Sequence, residues 1–316
     1  MNTVLVTGAG GFLGQPLCAE LVRQGHTVRA AVRTAQPALP GVQTMVTGDI
    51  GALTEWRRAL EGVEMVVHAA ARTHVLHDSA ANARRYFEVN AQGTEHLARA
   101  AAAAGVRRFI YLSSIKVNGE STTERPYRSD DVPCPQDDYA RSKLQAEISL
   151  AQAAQGTAME TAIVRPPLIY GPGVRANFLR LMHWVDRRRP LPFGAIHNAR
   201  SLVSVWTVND LLLKLLRHPR SVTGVWLVAD GEDLATPDLI RRIGRSLERE
   251  VRLLRVPRAL LLLGGSLAGK RADLARLCGS LQVDAAPTRR ALAWAPPLSL
   301  DEALQRTAAW YVREYR

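Results

Sequence analysis

Residues 3–23 read TVLVTGAGGFLGQPLCAELVR, and the order of features within them decides the fold. A short apolar run, Thr3–Thr7, has strand character. Gly8, Gly11 and Gly14 then follow at intervals of three, and Phe12, Leu13, Leu17, Leu21 and Val22 are apolar at helical spacing. A strand, a glycine-rich turn and a helix make the first half of a βαβ unit. In such a turn Gly8 lets the chain reverse tightly, Gly11 lets the backbone approach a pyrophosphate, and Gly14 lets the helix pack closely, with the anion seated on the helix N-terminus. The pattern therefore predicts a bound dinucleotide cradled by Gly8, Gly11, Phe12, Leu13 and Gly14.

Working outward, strand-like runs recur near residues 27–32 (TVRAAV), 42–46 (VQTMV), 64–70 (EMVVHAA), 107–114 (RRFIYLSS) and 160–167 (ETAIVRPP), with helical segments between most of them, including one over 84–105. This alternation predicts an α/β fold with a doubly wound parallel sheet. Past about residue 166 proline and glycine become frequent, which predicts a dinucleotide-binding domain over 1–166 and a smaller C-terminal substrate-binding lobe over 167–316, some of it returning to the sheet.

Composition narrows the function. The 316 residues are 47% hydrophobic, enough for one large α/β domain with a lobe. Three widely spaced cysteines form neither a disulfide framework nor a metal-ligand set, and the first residues read as a strand, so a cytoplasmic, metal-free protein is expected. The net charge is +12, but the arginines are scattered and aromatics are only 6%, so no stacking platform for nucleic acid is expected. The charge fits an anionic small molecule steered into a basic cleft, an anionic membrane surface or a plain solvated surface, and forces none of them. One greasy run, ALLLLGGSLA at 259–268, is too short to cross a bilayer; it predicts a buried helix or a surface-lying segment beside Arg255, Arg258, Lys270 and Arg271.

Two positions bear on the cofactor. The second strand ends at Arg33, where a carboxylate would hold a free ribose 2′-hydroxyl; an arginine pairs instead with a 2′-phosphate, which favours NADP over NAD. Asp49 and Ile50 follow the third strand, with Asp49 placed to accept from an adenine amino group. The chemistry is announced by DDYARSKLQAE, residues 137–147. Only four lysines occur among 41 basic residues, and Lys143 stands one helical turn after Tyr139, on the same face. A cation there is expected to lower the phenol pKa towards working pH. Ser113 and Ser114, at the end of the fifth strand, supply hydroxyl donors to a substrate oxygen.

The glycine spacing, HAAA at 68–71, VNAQGT at 89–94, YLSS followed by YARSK, and RPPLIYGPG together resemble the extended short-chain dehydrogenase/reductase family of nucleotide-sugar epimerases and dehydratases, with a Rossmann-like fold. The stretches SSIKVNGE, YGPGVRANFLRLM and GAIHNARSLVSV are most similar to its bacterial UDP-sugar 4-epimerases and 4-keto reductases of surface polysaccharide synthesis. The resemblance implies that Ser114 and Tyr139 flank the reacting oxygen and that Lys143 also bonds the nicotinamide ribose. It implies too that Ala69, Ala70 and Ala71 line the cofactor while Asn90 and Pro166 border it. Arg72 and Thr73 would face the sugar, and Asn177 and Arg200 the diphosphate. Ile115 and Lys116 stand where dehydratases of the family carry an acid pair, which argues against 4,6-dehydration. Gly279 and Ser280 replace a glycine-aspartate that often contacts uridine. The expectation is an NAD(P)-dependent enzyme acting at C4 of a UDP-sugar, a homodimer being compatible with it. Arg33 tips the choice to reduction of a UDP-4-keto-6-deoxy-N-acetylhexosamine with NADPH; the alternative is a UDP-hexose or UDP-N-acetylhexosamine 4-epimerase.

Overall fold

A computed structural model describes residues 2–35, 39–73, 80–267, 269 and 271–316. Ten strands are present among them: β1 (Thr3–Thr7), β2 (Thr27–Val32), β3 (Val42–Val46), β4 (Met65–His68), β5 (Arg108–Leu112), β6 (Glu160–Arg165), β7 (Leu168–Tyr170), β8 (Arg200–Ser204), β9 (Gly224–Leu227) and β10 (Asp233–Leu234). Seven of them form one parallel sheet in the order β3-β2-β1-β4-β5-β6-β9. The chain winds one way from β1 to β3 and the other way from β4 onward. Its direction of winding switches between β1 and β4, and open α/β sheets bind ligands beyond the carboxyl ends of strands at such a point.

Burial on both faces explains why the central strands read as unbroken apolar runs. Along β1, Val4 and Val6 face a layer containing Leu17, Leu21, Leu211 and Leu215, while Leu5 faces the opposite layer with Leu97, Ala101 and Leu150. The helix Gly14–Arg23 follows the glycine turn directly. The helix Asp138–Ala154 begins at Asp137, whose carboxylate accepts the Ala140 N–H at 2.7 Å, an N-cap that fixes where the helix starts.

The chain after β6 builds a second core from Phe178, Met182, Ile240, Ile243, Leu304 and Tyr311, carried by the helices Ala176–Asp186, Thr236–Ser246 and Leu300–Tyr315. A small sheet, β10-β8-β7, joins this lobe to the main one. The chain is not cleanly divided, since β9 returns to the edge of the main sheet and the helix Val205–Arg217 packs under it.

Two sequence expectations change. The helix expected over 84–105 is a composite of Ala80–Tyr86, a π-helical segment Phe87–Gln92, and Gly93–Ala103. The apolar run at 259–268 forms the helix Arg258–Leu267, but it is not a buried helix: Leu261 and Gly265 face inward while Leu260, Leu263 and Leu267 are exposed. Ala268 and Lys270 lie outside the described residues.

Candidate active site

The glycine turn is shaped by atoms that leave no room for side chains. Gly8 has φ +67°, and a Cβ there would lie 2.8 Å from the Ala70 nitrogen; a Cβ on Gly14 would lie 2.2 Å from the Gly8 carbonyl oxygen. The first glycine thus lets β1 pass against Ala69 and Ala70 at the end of β4, and the third lets the helix Gly14–Arg23 close over the turn. No side chain caps that helix; Gln15 N–H donates to the Gly11 carbonyl at 3.1 Å and Pro16 has no N–H, so an anion there would be met by the N–H groups of the turn itself and by the helix dipole. Phe12 is half-buried and Leu13 buried, the Leu13 carbonyl accepting from Asn209 at 3.4 Å. Ile50 lies so close to Gly93 that a Cβ on the glycine would meet its Cγ2 at 2.5 Å. A cradle of this kind fits a dinucleotide.

Beneath the turn a buried relay of hydrogen bonds locks the ends of β1 and β4 to the π-helical segment. The Ala70 N–H donates to Thr7 Oγ1 at 3.2 Å, and Thr94 Oγ1 donates to the Asn90 carbonyl at 2.5 Å. With those protons placed, the Thr7 hydroxyl donates to His68 Nδ1 at 2.6 Å and His68 Nε2 donates to Thr94 at 2.9 Å. Burial, helped by the charge of Lys143, holds the imidazole down to about 3, so His68 is a neutral structural link. Asn90 projects from the π-helical segment. Its amide donates to the Arg72 carbonyl (3.1 Å) and to Ser142 Oγ (3.0 Å) and accepts the Arg72 N–H (2.8 Å), while Ser142 Oγ donates to the Tyr139 carbonyl (2.7 Å). Asn90 therefore ties the Ala69–Arg72 segment to the helix that carries Tyr139.

That helix presents Tyr139, Lys143 and Glu147 at successive turns of one face. Ser114, two residues past β5, is in extended backbone and caps the short turn Ile115–Val117, its hydroxyl accepting the Lys116 N–H at 3.3 Å. Tyr86 packs edge-on against the half-buried Tyr139 ring, centroids 5.9 Å apart. Desolvation pushes the Tyr139 phenol well above its ordinary range, with the Ser114 hydroxyl opposing it. The lowering expected from Lys143 is thus not what this arrangement produces. Lys143 itself is buried, donates to the Leu112 carbonyl at 2.8 Å and lies 4.7 Å over the Tyr111 ring; burial brings it down to about 7, with Glu147 opposing the shift.

Ser113 and Ser114 point to opposite faces, as successive residues of extended chain do. For that reason Ser113, expected beside the substrate, donates to Glu147 Oε1 at 2.5 Å instead. Glu147 is also paired with Arg165 (2.5 and 3.0 Å), and Arg165 reaches Asn118 Oδ1 at 3.0 Å. This buried network was not anticipated from sequence, although Glu147 stands one turn beyond Lys143. Pro166 is buried next to it, its carbonyl accepting from Ile115 N–H at 2.9 Å. Lys116, where an acid pair would mark a dehydratase, is bound to Glu120 at 2.8 Å and Asp137 at 2.5 Å.

The remaining residues are more dispersed. Arg33 lies 3.7 Å from Asp49, both well exposed. Half-buried Ala71 leads into Arg72, which donates to Asn82 at 3.2 Å, and Thr73 is exposed. Asn177 is exposed at the start of the helix Ala176–Asp186 and accepts from Arg180. Arg200 is partly buried, with Nη1 donating to the carbonyls of Arg276 and Gly279. No cluster of metal-ligating side chains occurs among the described residues.

Comparison with known proteins gives this geometry a context. The profile of the NAD dependent epimerase/dehydratase family matches residues 4–229. A UDP-glucose 4-epimerase of Vibrio cholerae is 42% identical over 316 residues, covering 99% of this chain and 96% of the relative. Among solved structures, MoeE5 in complex with UDP-glucuronic acid and NAD superposes with a TM-score of 0.80 at 24% identity (98% of this chain, 99% of the other). The UDP-glucuronic acid 4-epimerase of Bacillus cereus in complex with NAD gives a TM-score of 0.80 at 19% identity (99% and 100%). These structures agree in fold. The chain belongs to the NAD dependent epimerase/dehydratase family and is an enzyme of the extended short-chain dehydrogenase/reductase type.

Proposed function

We propose that this family member is a UDP-hexose 4-epimerase that retains NAD through its catalytic cycle. The observation that carries the reading is the 42% identity, over nearly the whole of both chains, to the V. cholerae UDP-glucose 4-epimerase. It favours the epimerase over the 4-keto reductase to which Arg33 had pointed. The carboxylate of Asp49 facing Arg33 supports the same choice, since a 2′-phosphate brought to Arg33 would also meet a negative charge. Epimerisation needs a cofactor that is reduced and reoxidised without leaving, and NAD suits that role.

In this reading residues 1–166 hold the dinucleotide, with the pyrophosphate over Gly8, Gly11 and Gly14 and the adenosine near Arg33, Asp49 and Ile50. Ala69, Ala70, Ala71, Asn90 and Pro166 border the nicotinamide half. The sugar lies between Ser114 and Tyr139, with Arg72 and Thr73 beside it and Asn177 and Arg200 reaching the diphosphate from the lobe over 167–316. The bound nicotinamide supplies a hydride acceptor and donor for C4. As phenolate, Tyr139 would take the proton of the C4 hydroxyl on oxidation and give it back to the C4 oxygen on reduction. Ser114 holds that oxygen by a hydrogen bond. Burial raises the Tyr139 phenol and brings Lys143, one turn along the same helix, down to about 7, so near neutral pH Lys143 can take and release a proton and in this reading serves Tyr139 as its proton partner. The absence of an acid pair after Ser114 leaves no general acid at that point for water elimination.

Incubating the purified chain with UDP-glucose, with no cofactor added, tests the proposal. UDP-galactose should accumulate to equilibrium with no net change in cofactor absorbance. Stoichiometric consumption of NADPH with a UDP-4-keto-6-deoxy sugar, and no interconversion of UDP-hexoses, would replace it with the reductase.

A further inference from the structure

Residues 251–272 read VRLLRVPRALLLLGGSLAGKRA. They contain five basic side chains, Arg252, Arg255, Arg258, Lys270 and Arg271, and no acidic one; Glu250 and Asp273 bound the stretch. The helix Arg258–Leu267 within it has two apolar faces. Leu261 and Gly265, one turn apart, pack into the lobe, where Leu274 and Leu277 join the same core. On the outer side Leu260, Leu263 and Leu267 stand at i, i+3 and i+7, which is one helical stripe, and are 58%, 61% and 86% exposed. Leu254, 53% exposed, lies just before the helix, and Arg252, Arg255 and Arg258 are exposed around it. A monomer in water gains nothing from such a stripe, and among the described residues Arg252, Arg255 and Arg258 form no ion pair with a carboxylate.

We propose that this face docks on an anionic lipid surface, with the leucines entering the boundary between headgroups and acyl chains and the arginines at the lipid phosphates. Charge selects the partner. A bilayer bearing acidic headgroups complements an exposed leucine stripe preceded by exposed arginines, and helices with that pairing lie in the membrane interface. The helix is 10 residues long and no helix among the described residues is long and apolar enough to cross a membrane, so the contact is peripheral. A second copy of the chain is a poorer occupant. Across a two-fold axis the same arginines would oppose one another, and four leucines fall well short of the roughly 1,200 Å² that specific protein interfaces bury. The face shares no residue with the Ser114, Tyr139 and Lys143 set.

Co-sedimentation of the full chain with phosphatidylcholine vesicles, with and without phosphatidylglycerol, tests this without any turnover. Binding should require phosphatidylglycerol and weaken at high salt. Arg255→Ala with Arg258→Ala should reduce the partition coefficient by on the order of twentyfold, from about fivefold per cation. Leu260→Glu with Leu263→Glu should reduce it at least tenfold. Both pairs alter exposed positions, so the circular dichroism melt should be unchanged. The proposal falls if wild type ignores phosphatidylglycerol vesicles, or if the leucine pair binds them as well as wild type does. It falls also if sedimentation velocity shows a dimer that the leucine pair splits while vesicles are not bound, because a second copy then covers the face.

Discussion

The two sides of the ligand crevice are built by different means. On the dinucleotide side, position is set by atoms without freedom: Gly8 against Ala70, Gly14 against the Gly8 carbonyl, Ile50 against Gly93, with the His68 relay underneath. On the side proposed for the substrate stand long or exposed side chains, Thr73, Asn177 and Arg200, and Arg200 is oriented by carbonyls of residues more than seventy positions away. An added Cβ at Gly8, Gly14 or Gly93 would meet fixed atoms on the first side, whereas exposed Thr73 and Asn177 on the second have no such neighbours to displace. A fold so divided keeps one chemistry and varies its substrate.

The catalytic helix belongs to the rigid side, and its loss should be felt most in rate. Tyr139→Phe removes the proton carrier but no packing, so kcat for UDP-hexose interconversion should fall by a factor on the order of 10² to 10⁴ with NAD affinity nearly intact. A variant of full activity would remove Tyr139 from the chemistry and make the two sides equally replaceable.

Next in size is the support beneath that helix. Glu147 and Arg165 are both about 5% exposed, and truncating one leaves the other a buried, unpaired charge. Glu147→Ala should therefore cost about 3 kcal/mol or more in denaturant unfolding, and should release Ser113 as well. Asn177→Ala, on the substrate side, should leave stability unchanged within about 0.5 kcal/mol. Equal losses in the two variants would contradict the division.

A smaller effect comes from Lys143, and its sign follows from its burial. Its ordinary pKa is 10.5 and in the fold it is about 7, so between those values the unfolded chain holds the extra proton. Stability from this group is fully present above pH 10.5 and is lost as pH falls towards 7. Relative to Lys143→Met, wild type should gain roughly 2 kcal/mol between pH 7 and pH 9 in matched urea titrations, a difference that cancels the other titrating groups. A constant difference would mean that Lys143 is solvated.

The smallest effect is at the rim. Arg33 and Asp49 form an exposed pair worth at most about 1 kcal/mol, so Arg33→Ala should change NAD affinity less than about fivefold by calorimetry. Tighter wild-type binding of NADP than of NAD would restore Arg33 as a phosphate partner.

The same division decides what could be read from the sequence. The glycine turn, the strands at 27–32 and 42–46, and the Tyr139–Lys143 spacing are local patterns whose physical meaning does not depend on the rest of the chain. The π-helical segment was illegible because Phe87–Gln92 is too short for a change of period to stand out in the apolar pattern, although it is what aims Asn90 at Arg72 and Ser142. The Glu147–Arg165 pair joins a helix to a strand 18 residues away, and Ser113 was misdirected because the end of β5 could be placed only to within a residue or two, enough to swap faces. The Arg33–Asp49 approach depends on the spacing of two strand ends, which no single-strand pattern contains.

The central claim is that one hydride leaves C4 and returns to the same sugar on its other face. Supplying UDP-glucose deuterated at C4, together with unlabelled NAD and NADH in solution, tests it directly. Deuterium should be found at C4 of the UDP-galactose formed, undiluted by the cofactor in solution. If the product instead carries hydrogen at C4 and the label appears in free NADH, the cofactor exchanges during turnover, and the account of a retained cofactor serving a 4-epimerase is contradicted.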